Sequence, residues 1–184
     1  DTLEILRQPL EDGVVTVSRV AGTAAFPCGI MLVAAMNPCP CGYFGHPTRA
    51  CSCTPYAIER YLQRISGPLL DRIDLHVEVA PVEYADLACE TGGEGSAEIL
   101  ERVLAARAVQ SERYAGTGVS CNARLPSAML RGVCRLSPDA DRLLRAAFER
   151  MGLSARAYDR VLKVSRTIAD LAGSERIEAE HVSE

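Results

Sequence analysis

The chain contains no apolar run near the roughly 20 residues that a membrane span needs. Its first residues, Asp1-Thr-Leu-Glu, have neither the basic start nor the apolar core of a signal peptide. It has no surplus of positive charge: 20 Lys and Arg stand against 24 Asp and Glu, a net charge of −4. That excludes a global pull toward nucleic acid or an anionic membrane surface, so any nucleic-acid contact must come from a local basic patch. Internal repeats and low-complexity tracts are also missing. What remains is 184 residues, 48% hydrophobic and 24% charged, an ordinary globular composition with room for one or two small cores. These absences together lead us to expect a cytoplasmic protein.

Cysteine is not scarce, at 8 residues. A chain of this length needs no disulfide staples, and Cys28, Cys89, Cys121 and Cys134 stand singly in apolar or helical contexts, where cysteine behaves as a small hydrophobe. The other four are paired in sequence, as Cys39-Pro-Cys41 and Cys51-Ser-Cys53. Four such thiols offer soft ligands, and a tetrahedral set of four cysteines is a standard structural zinc site. Gly42 and Gly45 permit tight turns between them. The segment has little apolar content of its own, so a metal would supply its folding energy. His46 is a substitute ligand. The C-x-C spacing is tighter than the usual C-x₂-C, and two disulfides or four reduced thiols fit the sequence as well. With four thiolates and no open position, zinc here would be structural.

The rest of the chain punctuates clearly. Thr2 to Leu10 reads as a helix stopped by Glu11-Asp12-Gly13, with no N-cap upstream, so Asp1 is expected not to be a natural beginning. Val14 to Arg19 and Thr23 to Phe26 read as a β-hairpin turning at Ala21-Gly22. Ile30 to Met36 is a continuous apolar run, the pattern of a strand buried on both faces. Thr54-Pro55 opens a helix to about Ile65, and Gly67-Pro68 breaks it. Ile73 to Val79 alternates as a half-buried strand. Glu90 to Ser96 reads as a flexible linker. Beyond it the pattern is helical: Ser96 to about Tyr114, a helix from Ser137-Pro138 to Gly152, one from Ser154 to Gly173, and a fourth near Ile177. The fold class is α/β plus α, with residues 1–90 in one domain and 91–184 in a helical second one.

Three positions suggest chemistry. Asn37 ends the apolar run, at the kind of sheet edge where ligands bind, although Asn-Pro also simply starts turns. Arg72 lies between Asp71 and Asp74, either of which could pair with it. Arg156 falls in the first turn of a helix, where a cation opposes the dipole and a phosphate would relieve it.

Four longer motifs carry a resemblance. They are RQPLEDG (Arg7 to Gly13), AMNPCPCGYFG (Ala35 to Gly45), RISGPLLDRIDLHVEV (Arg64 to Val79) and SARAYDRVLKVSRTIADL (Ser154 to Leu171). By these the chain resembles the C-terminal half of the magnesium-chelatase-like AAA+ ATPases of the ComM type, related to magnesium chelatase ATPase subunits and to MCM helicases. The resemblance implies a partial AAA+ core with a cysteine-rich insertion at 38–54, followed by a helical lid. It implies ATP with Mg²⁺, a homo-oligomeric ring, expected to be a hexamer, and DNA as partner. Asn37 would be sensor 1, Arg72 the arginine finger acting on a neighbour's nucleotide, and Arg156 the sensor 2 of the lid. Val14 to Phe26 would be the hairpin that points into the pore, with Arg19 as its basic, DNA-contacting residue.

The chain departs from that family in one respect. It contains no G-x-x-x-x-G-K-[ST] phosphate loop and no apolar run ending in Asp-Glu. It is therefore expected to be a fragment, inactive alone, of an ATP-hydrolysing motor for branch migration in DNA uptake and recombination. Two other functions compete: a chelatase-type ATPase driving metal insertion, and a zinc-stabilised interaction module.

Overall fold

The computed structural model describes residues 2–82 and 93–184. The chain divides into two compact units, Asp1–Glu83 and Tyr84–Glu184.

The first unit opens with a 3₁₀ turn over Thr2–Leu6 that runs into helix α1, Arg7–Asp12. Gly13 closes α1 in the left-handed conformation, at φ 64°, and its amide bonds to the carbonyl of Pro9. Strands β1 (Val14–Arg19) and β2 (Gly22–Pro27) form an antiparallel hairpin in which Arg19 faces Gly22 and Val14 faces Pro27. The turn is therefore Val20-Ala21, one residue earlier than the sequence suggests. Gly22, at φ 143°, takes the backbone geometry that other residues avoid. The hairpin is half-buried only at the start of β1 and exposed along all of β2.

Helix α2, Pro55–Leu62, starts as expected: Thr54 Oγ1 accepts the Ala57 amide at 3.2 Å and proline occupies the first turn. It ends earlier than Ile65. Gly67-Pro68 does not merely break it, because Ser66 caps a new single turn, α3, Gly67–Leu70. Proline at the start of a helix loses no hydrogen bond, so this dipeptide opens a helical turn after α2 has already ended.

Two expected strands are absent. Residues 30–36 and 73–79 form no ladder among the described residues, and Met31, Val33, Val77 and Val79 are all more than four-fifths exposed. A strand inside a parallel sheet draws its hydrogen bonds and its burial from neighbouring strands. No such neighbour exists among the described residues, so these apolar runs form no strand and stay open to solvent. The only sheet described is the hairpin.

The second unit is helical. The expected linker at 90–96 lies partly outside the described residues. Helix α4 spans Ser96–Arg113, α5 Ser127–Val133, α6 Pro138–Met151, α7 Ala155–Leu171 and α8 Ala179–Ser183. Ser137 and Ser154 cap α6 and α7 through their hydroxyls, and left-handed Gly152 ends α6. Helix α5 and the 3₁₀ turn at Asn122–Arg124 have no strong sequence signal, being short and, in α5, containing Gly132. A parallel bridge joins Leu136 to Ile177. The core gathers Tyr114, Leu125, Leu130, Leu144, Leu162 and Ile177.

A buried polar network crosses that core. Asp170, with its side chain fully buried, accepts from Arg166 Nε at 3.0 Å, from Arg113 Nη1 at 2.9 Å and from Asn122 Nδ2 at 2.8 Å. Arg166 also donates to the carbonyls of Ser174 and Glu175 beyond the end of α7. Burial pushes the Asp170 carboxyl up, but the bonds from Arg113 and Asn122 and the Arg166 charge outweigh it and hold it below the usual range. The buried face of α7 thus runs through Leu162, Arg166, Ala169 and Asp170, while Leu171 is half exposed. Removing the anion should leave Arg166 buried and unpaired. Asp170→Ala should cost about 3–5 kcal/mol in urea unfolding. Because the native carboxyl titrates low, its contribution is complete above about pH 4 and fades as pH falls through the folded value. Asp170→Asn should therefore flatten the acid limb of the stability curve, and an unaltered urea midpoint for Asp170→Ala would refute the network's role.

Candidate metal centre

Cys39 to Cys53 contains neither helix nor strand. Its turns are made by backbone. Gly42 and Gly45 adopt φ 82° and 79°, which favours glycine. The Gly42 amide bonds to the carbonyl of Cys39 at 3.0 Å, and the Phe44 amide points at Cys39 Sγ at 3.3 Å. The Cys53 amide likewise points at Cys51 Sγ at 3.4 Å. The segment is a knuckle folded around sulfur.

The four sulfurs of Cys39, Cys41, Cys51 and Cys53 all lie within 4.8 Å of one another. Cys39 to Cys41 is 3.3 Å, Cys41 to Cys51 is 3.5 Å and Cys39 to Cys51 is 3.7 Å. These cysteines are free thiols. A tetrahedron of thiolates about 2.3 Å from zinc has edges of about 3.8 Å, so the donor set fits that ion in number, chemistry and spacing. Cys39 is fully buried and the other three are half-buried.

The amides of Tyr43 and Ser52 hold the Cys41 thiol down to about 5. The Cys53 amide bond also favours the Cys51 thiolate, yet burial and the neighbouring Cys41 and Cys39 outweigh it and push that thiol up to about 12. Burial raises Cys53 too. Four thiolates this close cannot all ionise without a cation among them.

His46 is not part of the cluster. Its Nδ1 accepts the amides of Thr48 at 3.2 Å and Arg49 at 3.1 Å, which closes a local turn instead. Its ring meets Tyr43 edge-on, and Arg49 lies 5.3 Å over the Tyr43 ring and donates to its hydroxyl.

Asn37 is exposed just before the knuckle, and a Cβ added to Gly42 would meet Asn37 Cγ at 4.0 Å. The amide side chain thus rests against the first turn of the cysteine segment. Arg72 follows α3, its amide bonded to the Leu69 carbonyl at 3.0 Å. It pairs with Glu11, from the end of α1, and it also donates to the Pro68 carbonyl. Its side chain is only 12% exposed, and its Nε is buried with no hydrogen-bond partner among the described residues. Arg19 is exposed at the end of β1, beside the fully exposed Val20. Arg156 is exposed in the first turn of α7, within the second unit. The sequence reading missed Glu11, although RQPLEDG ends one helix and Arg72 follows another, so no local periodicity connects them.

Two family models match the chain, magnesium chelatase subunit ChlI over residues 1–87 and the ChlI C-terminal region over residues 93–184. The chain belongs to the magnesium chelatase ChlI family. It is 45% identical over 185 aligned positions to the competence protein ComM of Haemophilus influenzae, covering 99% of this chain and 35% of that protein. It is 41% identical to the uncharacterized protein YifB of Escherichia coli K12, over 100% of this chain and 35% of that one. YifB of Salmonella typhimurium is 39% identical, with the same coverage. The chain thus spans about a third of the length of these relatives. Among the described residues no helix is long and apolar enough to cross a membrane.

Zinc binding should report the protonation of the cluster. Cys51 and Cys53 both titrate above neutrality when no metal is bound, so binding should release at least two protons. The logarithm of zinc affinity, measured by chelator competition, should rise by about two or more per pH unit near pH 7. Cys41→Ser should lose the ion and become protease-sensitive between Pro38 and Thr54. A pH-independent affinity, or a protease-resistant zinc-free knuckle, would contradict a four-thiolate site.

Proposed function

We propose that this chain forms the sensing and finger portion of an oligomeric AAA+ ATPase that acts on DNA, with residues 1–90 part of the α/β core and 91–184 its lid. The observation that carries the reading is the 45% identity to a competence protein across 99% of the chain. In this reading the phosphate loop and the Mg²⁺-binding acids come from outside these 184 residues. Bound Mg²⁺ supplies charge neutralisation at the phosphates.

The chain's own residues then divide the work. Asn37 orients the attacking water near the γ-phosphate through its amide. Arg72 faces the nucleotide of the neighbouring subunit and offsets charge that grows in the transition state, a role worth ~10³–10⁵ in rate. The buried, unpartnered Nε supports this, since a buried donor without an acceptor is uncommon. Glu11 holds the guanidinium in its isolated position, so engagement exchanges one carboxylate for a phosphate. Arg156 faces the phosphates from the lid. The exposed hairpin enters the ring pore, with Arg19 on backbone phosphate. ATP and DNA place such a motor in the cytoplasm, and the ring is a hexamer. The cysteine knuckle, held by zinc, distinguishes this motor from a porphyrin-metal chelatase.

The test is subunit mixing in the whole protein. Arg72→Ala should lose hydrolysis by at least 10²-fold while keeping nucleotide binding, because the charge acts mainly in the transition state. A phosphate-loop lysine variant should also be inactive. Mixed, the two should recover part of the activity, since one subunit supplies the finger and the other the pocket. Near-normal hydrolysis by Arg72→Ala alone would refute the assignment. The 184-residue chain alone should show only background phosphate release.

A further inference from the structure

A second basic feature lies next to the cysteine knuckle, away from the hairpin. Pro40, Tyr56, Ala57, Arg60, Tyr61 and Arg64 line an open recess of about 520 Å³. Tyr56 and Arg60 are one helical turn apart on α2, and Arg64 follows one turn later. Helical spacing puts Tyr56 and Arg60 on one side of α2, and Arg64, in the turn after its end, lines the same recess. Tyr56 is 71% exposed, a large ring left open to solvent. Arg60 and Arg64 are exposed, and neither forms an ion pair among the described residues. Arg64 instead lies 5.9 Å over the Tyr61 ring. The nearest acid on the helix, Glu59, is engaged by Gln63 at 3.1 Å.

In a chain of net charge −4, two unpaired guanidinium groups beside two tyrosines are a specific local arrangement. Aromatic faces stack on any base, and arginines spaced along a groove track a phosphate backbone. A duplex hides its base faces, whereas a single strand presents them together with its phosphates. An acidic protein partner would use the arginines but would leave the exposed Tyr56 ring without a role. A zinc centre of four thiolates and one Zn²⁺ would carry a charge of −2, only partly offset by Arg49, so the electrostatic share comes mainly from Arg60 and Arg64 and stacking carries the remainder.

We propose that the recess lined by Tyr56 and Arg60 of α2 and by Arg64 just beyond it binds an unpaired nucleic-acid strand, with a base stacked on Tyr56 and consecutive phosphates at Arg60 and Arg64. The inference rests on the DNA reading above but adds a site separate from Arg19. The cysteine knuckle leads directly into it, because Cys53 immediately precedes Thr54, the cap of α2.

The experiment measures fluorescence anisotropy of labelled oligo-dT and of a blunt duplex with the zinc-loaded whole protein, over a range of salt. Tyr56→Ala should weaken oligo-dT binding by on the order of tenfold, and duplex binding far less. Tyr56→Phe should bind like the parent, because stacking needs the ring and not the hydroxyl. Replacing Arg60 and Arg64 together by Gln should reduce the salt slope by about 1.4, the contribution of two single-strand phosphates. Arg19→Ala should weaken both ligands alike. Unchanged oligo-dT binding in Tyr56→Ala, while the parent binds well, overturns this site and leaves the DNA reading standing. Equal losses on oligo-dT and duplex, or a Tyr56→Phe defect as large as that of Tyr56→Ala, overturn the stacking role. A parent protein that binds neither ligand overturns both readings.

Discussion

Four sulfurs within 4.8 Å of one another must share a cation or hold on to their protons. Most of what is informative in the first unit depends on that constraint. The segment from Cys39 to Cys53 has no regular secondary structure, and the one fully buried hydrophobic residue within it is Cys39. Its shape comes from two left-handed glycines and from amides aimed at sulfur. A structural ion converts such a loop into a rigid body, because its binding energy is the loop's folding energy. Asn37 rests on one side of that body and α2 is capped at the other. In our proposal the knuckle therefore links a nucleotide-sensing amide to a strand-binding face across one short piece of chain.

The two units solve the burial problem differently. The second has a packed apolar core crossed by a satisfied ionic network, in which Asp170 gathers Arg166, Arg113 and Asn122. Removing one member of such a network is costly, because the partner's charge stays buried. The first unit has a thin core and leaves two apolar stretches open, with Met31 90% exposed and Val77 81% exposed. Surfaces of that kind mark contacts. In the proposed ATPase they are the strands of a parallel sheet whose remaining strands lie elsewhere in the protein.

How much of this was legible in the sequence depended on where each signal resides. Caps are local, so Thr54, Ser137 and Ser154 marked their helices directly. The cysteine spacing was local too, and the thiols do converge, while His46 was lost to a backbone turn that spacing does not reveal. The apolar runs at 30–36 and 73–79 read as strands because their periodicity is that of strands, but a ladder is a property of two segments and the partners are not in view. Glu11 and Arg72 are 61 residues apart, and nothing in either neighbourhood points to the other. Arg166 and Asp170 could have been found, since they fall four apart on the same face as Leu162 and Ala169. Charged residues on an apolar face are ordinarily assigned to solvent, and here they are paired inside.

We propose that one zinc ion held by four thiolates shapes the segment between Asn37 and α2. X-ray absorption at the zinc edge of the purified protein tests it directly, since it counts the scatterers around the ion. A four-thiolate site gives a single shell of four sulfurs at about 2.3 Å. A shell containing nitrogen or oxygen at about 2.0 Å would contradict it, as would protein that keeps the ordered knuckle with no zinc at all.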